Sequence, residues 1–380
     1  MLYKRSELAK RLSSIMLSKT FPLTSMLLAA PRRTGKSTFV LEDLKPELEK
    51  NGSLVIYVDL WSNKTVDPSV LIANAVLEKM KDVGAGPRWL SGVENVELSI
   101  SGIGLSVGKD KKEADLTFGE ALSSLSLKTK KKIVLIVDEF QHALSSQSGE
   151  NTLFALKSAR DKVNTSDHFG MVILGTGSNQ DKLASMRNSK DQAFYLTQLS
   201  PLPKLERDFT DWLIDHSGLS LNKDVAWELF VQSGSKPEAL SGVIRNLQLR
   251  LDLTGDLTEV FEKEVKKVLT EDAESQKNKI NALPTSQWVV LAFMSQGLST
   301  GLNSQASREE FKKIATARGE TINFDANTVQ AAISGLQNKK LIWSEARGTY
   351  HIEDEQVSQL IKEMLLETLA NKAQKPKMKK

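Results

Sequence analysis

From Thr24 to about Leu199, short runs of consecutive apolar residues alternate with longer stretches of helical period. The runs are Ser25–Ala29, Leu54–Val58, Ile133–Val137, Met171–Leu174 and Ala193–Leu196. Strands without a polar face are buried on both sides, and strands that alternate with helices build a parallel sheet from βαβ units. The pattern predicts an α/β domain with five parallel strands over residues 1–200. Between the second and third runs, Val96, Leu98 and Ile100 alternate with polar residues, Ser101-Gly102 interrupts, and Ile103, Leu105 and Val107 resume the alternation. This period of two predicts a β-hairpin inserted over about 94–109. A Gly-rich nucleotide loop at Ser101–Gly104 is the competing reading, and no following helix supports it.

Pro201-Leu202-Pro203 breaks the pattern, and the positions beyond it have helical spacing over 205–217, 224–232, 237–251 and 258–273. They predict a helical lid domain over 201–275, with the charged stretch Glu271–Lys279 as a linker or exposed helix end. Residues 280–352 predict a compact third unit: helices over 286–295, 307–318 and 327–339, then a hairpin turned at Arg347-Gly348. Three helices and a hairpin resemble a winged helix. In its third helix Val329, Ala332, Ile333 and Leu336 share an apolar face, leaving Thr328, Gln330, Ala331, Ser334 and Gln337 outward. A C-terminal helix over 353–370 has Val357, Leu360, Ile361, Met364 and Leu365 on one face, and the Lys-rich tail 371–380 is expected to be disordered.

Composition narrows the chemistry. With 380 residues, 40% hydrophobic and 26% charged, the chain reads as an ordinary globular protein of two or three domains. No run approaches the roughly 18 apolar residues of a membrane span. The start, Met1-Leu2-Tyr3-Lys4-Arg5, lacks the apolar stretch of a secretory signal, so the expected address is cytoplasmic. Absence of cysteine removes disulfides, thiolate nucleophiles and Cys-based zinc sites, and four His leave little for a His-built metal site. Net charge is +4, but Asn371–Lys380 holds five Lys and no acid, so the preceding 370 residues sum to −1. Bulk charge therefore gives no general support to nucleic-acid binding.

Two segments carry chemistry. Ala30-Pro31-Arg32-Arg33-Thr34-Gly35-Lys36-Ser37-Thr38 follows the first strand and opens a helix. This is the spacing of the P-loop, G-x-x-x-x-G-K-[ST], with Ala30 in place of the first Gly. Backbone N–H groups curling around a polyphosphate at a helix start require such a loop. Pro31 through Thr38 then become nucleotide-binding candidates, Lys36 reaching the β- and γ-phosphates and Ser37 ligating Mg²⁺. The second segment is Asp138-Glu139, at the carboxyl end of the third run, where open α/β sheets bind ligands. Asp138 is placed to hold Mg²⁺, directly or through water, and Glu139 to polarise a water for attack on the γ-phosphate. General-base catalysis of this kind contributes about 10²–10⁴ in rate.

These two motifs, with a later strand running into polar residues, resemble the AAA+ class of P-loop ATPases. Within it, Pro31–Ser37 and Asp138-Glu139-Phe140-Gln141 resemble archaeal-type ATPases, which are similar to replication-initiator ATPases and to STAND signalling ATPases. The resemblance covers roughly residues 1–350 in layout. It implies ATP and Mg²⁺ as cofactors, with Arg5, in Lys4-Arg5-Ser6-Glu7-Leu8, beside the adenine. It also implies that Gly175-Thr176-Gly177-Ser178-Asn179 occupies the sensor 1 position, where Ser178 or Asn179 orients the attacking water. Arg187 takes the place of an arginine finger, with Arg160 as its rival, and Lys236 that of sensor 2.

Three functions are compatible with these expectations. One is a Mg²⁺-dependent ATPase whose nucleotide state controls assembly, as a homo-oligomer, or binding of duplex DNA through 280–352 and the Lys tail. A STAND-like switch acting on a protein partner is the second. The third is a non-hydrolysing nucleotide scaffold, should Ala30 spoil the loop. None involves a membrane.

Overall fold

The computed structural model describes residues 2–63, 65–85, 98–99, 104–107, 116–165, 167–188, 192–250, 254–346 and 348–374. Five strands form one parallel sheet: β1 (Ser25–Ala29), β2 (Leu54–Asp59), β6 (Ile133–Asp138), β7 (Met171–Gly177) and β8 (Gln198–Pro201). Their order is β2-β6-β7-β1-β8, each pair in parallel register. Side chains alternate across a strand, so each strand supplies two apolar layers. Leu27, Ile56, Leu135, Val137 and Ile173 enter one layer, capped by Ile72 and Val76 of α4 (Pro68–Asp82), Leu122 of α5 (Phe118–Thr129) and Leu156 of α6 (Gln147–Val163). Met26, Leu28, Val55, Ile136 and Val172 enter the other, capped by Leu12 of α1 (Ser6–Leu17) and by Phe39, Leu44 and Leu48. The last three lie on a continuous helical segment made of α2 (Lys36–Phe39), a π-turn (Val40–Leu44) and α3 (Lys45–Lys50). Both faces are therefore covered, which is why the strands have no polar side.

The fifth strand differs from expectation. Ala193–Leu196 forms a turn, and Gln198–Pro201 pairs with Met26–Ala29 instead. Ala193 and Phe194 are buried, Phe194 edge-on against Phe140 at 5.2 Å, while Leu196 has a left-handed φ of 58°. Their apolar character reflects core packing from a turn, whereas the edge strand faces less protein and carries polar residues.

In the inserted segment, β3 (Leu98–Ser99) pairs antiparallel with β4 (Gly104–Val107), which pairs with β5 (Leu116–Thr117). The other residues of 94–109 lie outside the described set.

Two compact units divide the chain, Met1–Thr258 and Glu259–Lys380. The first also contains α8 (Arg207–Asp215), α9 (Lys223–Gln232) and α10 (Pro237–Gln248). Of the two readings of Glu271–Lys279, linker or exposed helix end, the structure has the second: the stretch is the exposed C-terminal part of α11 (Thr258–Asn281). It is charged but holds Ala, Glu, Gln and Lys without Gly or Pro, all good helix formers.

In the second unit, α12 (Thr285–Met294), α13 (Gln305–Ala317) and α14 (Ala326–Asn338) precede an antiparallel ribbon, β9 (Ile342–Ala346) and β10 (Thr349–Ile352). Its core joins Trp288, Phe311, Val329, Ile333 and Leu336 with Ile361, Met364 and Leu365 of α15 (Glu355–Gln374). The tail beyond residue 374 and the turn residue Arg347 lie outside the described set. Among the described residues, no helix is long and apolar enough to cross a membrane.

Candidate functional site

The carboxyl ends of β1, β6 and β7 converge on one cluster of polar side chains. Its construction starts at Gly35, whose φ of 84° lies where L side chains are strained. Arg33, at φ 65°, shares that left-handed conformation, the kind that builds anion-binding nests. The loop then turns directly into the helical segment at Lys36, and Thr34 closes it with a hydrogen bond to the Pro31 carbonyl at 2.7 Å.

Lys36 is buried, and its ammonium lies 2.5 Å from Asp138 Oδ1 and 2.6 Å from Glu139 Oε1. Asp138 also accepts hydrogen bonds from Ser37 Oγ (2.6 Å), Tyr57 OH (3.3 Å), the Glu139 N–H (2.9 Å) and Thr176 Oγ1. Glu139 accepts from Ser178 Oγ at 2.8 Å and Gln141 Nε2 at 2.5 Å. Burial alone would push both carboxyls up. The Lys36 charge and these hydrogen bonds outweigh it and hold both below the ordinary carboxylate range. Asp59, paired with Asp138 across β2 and β6, is shifted the opposite way, chiefly by burial. Burial likewise raises Tyr57, aided by the Asp138 charge, so its phenol stays protonated as a donor.

Glu139 itself stands in a left-handed conformation at φ 52°, where the strand turns into a short 3₁₀ segment, Phe140–Ser145. A non-Gly residue there costs on the order of 1–2 kcal/mol. Space for the next residues comes from β7: a Cβ on Gly177 would lie 2.2 Å from Gln141 Oε1. The structure thus packs the amide of Gln141, 3% exposed, between β7 and the Glu139 carboxylate.

The other sequence candidates fall around this cluster. Arg32 bonds Ser178 Oγ at 3.3 Å and lies over the Trp61 ring at 4.2 Å. Arg33 forms an exposed ion pair with Glu238, in the first turn of α10, at 3.3 Å. Ser37 and Thr38 are exposed at the helix start. Asn179 is buried and its Oδ1 accepts the Lys182 N–H at 2.8 Å, capping α7 (Gln180–Asn188). Arg187 lies in the last turn of α7, and its buried Nε has no hydrogen-bond partner among the described residues. Its rival Arg160 is engaged elsewhere, pairing with Asp161 at 2.7 Å and Ser25 Oγ at 3.1 Å. Arg5 is half-buried, with Nη2 on the Pro203 carbonyl at 2.7 Å and the guanidinium 5.5 Å from the Phe39 ring. Lys236 is the N-cap residue of α10.

Sequence reasoning did not single out Tyr57, Thr176, Gln141 or Trp61. A hydroxyl within an otherwise apolar strand marks Tyr57, and position beside the two motifs marks Thr176 and Gln141. Nothing local marks Trp61, because its role comes from a neighbour distant in sequence.

Oxygen donors of Ser37 and Asp138, 2.6 Å apart, are the hard ligands that Mg²⁺ takes, with water and phosphate oxygens completing its shell. Among the described residues, no cluster of three or more His, Asp or Glu offers an all-protein metal cage. Two donors plus phosphate oxygens is the usual Mg²⁺ arrangement, so the residues fit the ion.

No protein-family model matches the sequence, and no curated protein matches it. Solved structures do. The Walker-type ATPase paby2304 of Pyrococcus abyssi aligns over 95% of this chain and 96% of its own, at 14% identity and a TM-score of 0.54. The ADP form of the Aeropyrum pernix ORC2 protein aligns over 97% of this chain and 95% of its own, at 15% identity and a TM-score of 0.59. With identities this low the likeness is one of architecture: the chain has the α/β fold of the AAA+ P-loop ATPases.

Proposed function

We propose that the protein binds ATP with Mg²⁺ between the Lys36 turn and the Asp138 carboxylate and hydrolyses it. The observation that carries this reading is the meeting of Lys36, Ser37, Asp138 and Glu139 within 2.5–2.6 Å contacts at the carboxyl ends of a parallel sheet. The ADP form of a protein with the same architecture supports a nucleotide as the ligand.

In this reading Lys36 exchanges its carboxylate partners for phosphate oxygens, and Ser37 and Asp138 hold Mg²⁺, which neutralises phosphate charge when bound. Lys36's departure frees one oxygen of Glu139 to accept a proton from water, while Ser178 and Gln141 keep the carboxylate aimed. Arg5 and the Pro203-Lys204 backbone form the adenine side, and α8–α10 act as the lid, tied to the loop by Arg33 and Glu238. Asn179 holds the start of α7 beside Ser178, and Arg187 closes its end.

Nucleotide state then governs a partner bound by the second unit. Duplex DNA is the first choice, with the three helices and ribbon acting as a winged helix. The exposed Gln330, Ala331 and Ser334 of α14 would enter the major groove, and the Lys tail would meet phosphate. One observation favours the alternative, a switch acting on a protein: the only bases on or just beyond α14 are Lys339 and Lys340, at its far end, and Lys339 bonds Gln287 at 2.9 Å. DNA affinity comes largely from such charges.

The primary test is binding of a labelled, non-hydrolysable ATP analogue to the parent and to Lys36→Ala. Loss of binding in the variant is expected, and equal binding would refute the assignment of the loop.

A further inference from the structure

The resemblance gives Arg187 the place of an arginine finger, which neutralises transition-state charge. The geometry points to a different group, already inside the site. Arg32 is the loop residue whose side chain reaches across to the acidic strand end: its Nε lies 3.3 Å from Ser178 Oγ, which in turn donates to Glu139 at 2.8 Å. Glu139 meets Lys36 at 2.6 Å. Arg32, Ser178, Glu139 and Lys36 therefore form a chain of contacts around the space that the γ-phosphate takes in the reading above.

Three features distinguish Arg32 from the arginines nearby. Its charge has no carboxylate partner among the described residues, whereas Arg33 pairs with Glu238 and Arg160 with Asp161. Its guanidinium is stacked on Trp61, with the group centre 4.2 Å from the ring centroid, a contact that orients the planar fork without consuming its hydrogen-bond donors. Trp61 is itself held, edge-on against His142 at 4.5 Å and by its backbone N–H on Asp59 Oδ1 at 2.8 Å. A positioned cation beside a buried acid is the arrangement that stabilises charge on a transferring phosphoryl group.

We propose that Arg32 is the catalytic arginine of this site and acts in cis. Its guanidinium contacts the γ-phosphate oxygens as charge develops there, Trp61 serves as its platform, and hydrolysis needs no arginine from a second copy. This inference rests on the proposed ATPase reading.

The test compares the parent with Arg32→Ala and Arg32→Lys. ADP binding is measured alone and with aluminium fluoride, which mimics the phosphoryl group in flight. The parent is expected to trap ADP with aluminium fluoride, and Arg32→Ala to bind ADP alone with near-parental affinity but to lose the trapped complex. Its kcat is expected to fall on the order of 10³-fold, with Arg32→Lys between, because the charge stays and the fork is lost. Parental kcat per chain should not change with protein concentration. The Trp61 emission, isolated by subtraction of Trp61→Phe, should respond to the trapped complex and not to ADP.

Unchanged trapping and kcat in Arg32→Ala would overturn the inference and leave the ATPase reading standing. So would a parental kcat that rises with protein concentration and collapses in Arg187→Ala. A parent that binds no nucleotide would overturn both.

Discussion

At the scale of single residues, the site is a buried charge balance. Lys36, Asp138 and Glu139 have side chains 5%, 2% and 13% exposed, so each depends on the others for solvation. Removing one partner of such a set leaves an uncompensated buried charge and costs about 3–5 kcal/mol. Lys36→Met should therefore lower unfolding stability by about 3 kcal/mol near neutral pH. The sign with pH follows from the carboxyls. In the parent both are depressed, so their contribution is full above their unfolded values, about 4, and is lost as pH falls through the lower folded values. Without Lys36 the largest influence that opposes burial is gone, so protonation as pH falls relieves the variant. The deficit should narrow between about pH 7 and pH 5 in urea unfolding; an unchanged gap would show that the acids are not coupled to Lys36. Glu139→Gln keeps the shape, and its amide oxygen can still accept from Ser178 and Gln141, but it carries no charge and cannot take a proton from water. It should retain ATP and lose at least about tenfold in turnover, and parental turnover would remove Glu139 from the role of base.

At the scale of elements, β6 and β7 act together on Glu139. Asp138-Glu139 ends β6, but the Glu139 carboxylate is held by Ser178 at the end of β7 and by Gln141, whose room depends on Gly177. Gly177→Ala places a methyl against the Gln141 amide and should displace that flexible side chain. With one hydrogen bond lost, Glu139 loses part of what lowers its carboxyl, so the acid limb of the pH–kcat profile should move up, and Gln141→Ala should move it equally. Because both act through one contact, the double variant should shift no further than either alone. Much at this scale is legible in the residues: β1, β2, β6 and β7 sit where continuous apolar runs predict them. The fifth is not, because Ala193 and Phe194 carry a strand's apolarity while packing from a turn. For Glu271–Lys279 the residues left linker and exposed helix end both open, and the structure decides for the helix end.

At the scale of the whole molecule, charge is unevenly placed, with five Lys in Asn371–Lys380 and a nearly neutral remainder. If duplex DNA is the partner, those lysines supply much of the salt-dependent term. Each neutralised phosphate adds about 0.9 to the slope of log K against log salt. Removing residues 371–380 should then lower the slope by up to about 4.5. A full chain without salt-dependent DNA binding would favour the protein-partner reading. The division at Thr258 and Glu259 also predicts how the chain melts, since each unit has its own apolar core.

The sequence by itself determined the sheet domain and the two ends of its site. Buried strands need unbroken apolar runs, and a phosphate loop needs Gly-Lys-Ser after one of them, so both leave local marks. Only the tertiary structure decided which side chains complete the site. Tyr57, Thr176 and Ser178 meet Asp138 and Glu139, and Arg32 meets Ser178, because parallel pairing brings the ends of β2, β1, β6 and β7 to one edge, and contacts across 38 to 146 positions leave no local pattern. Trp61 was hidden for a like reason, since its platform for Arg32 exists only where two loops from different strands come together.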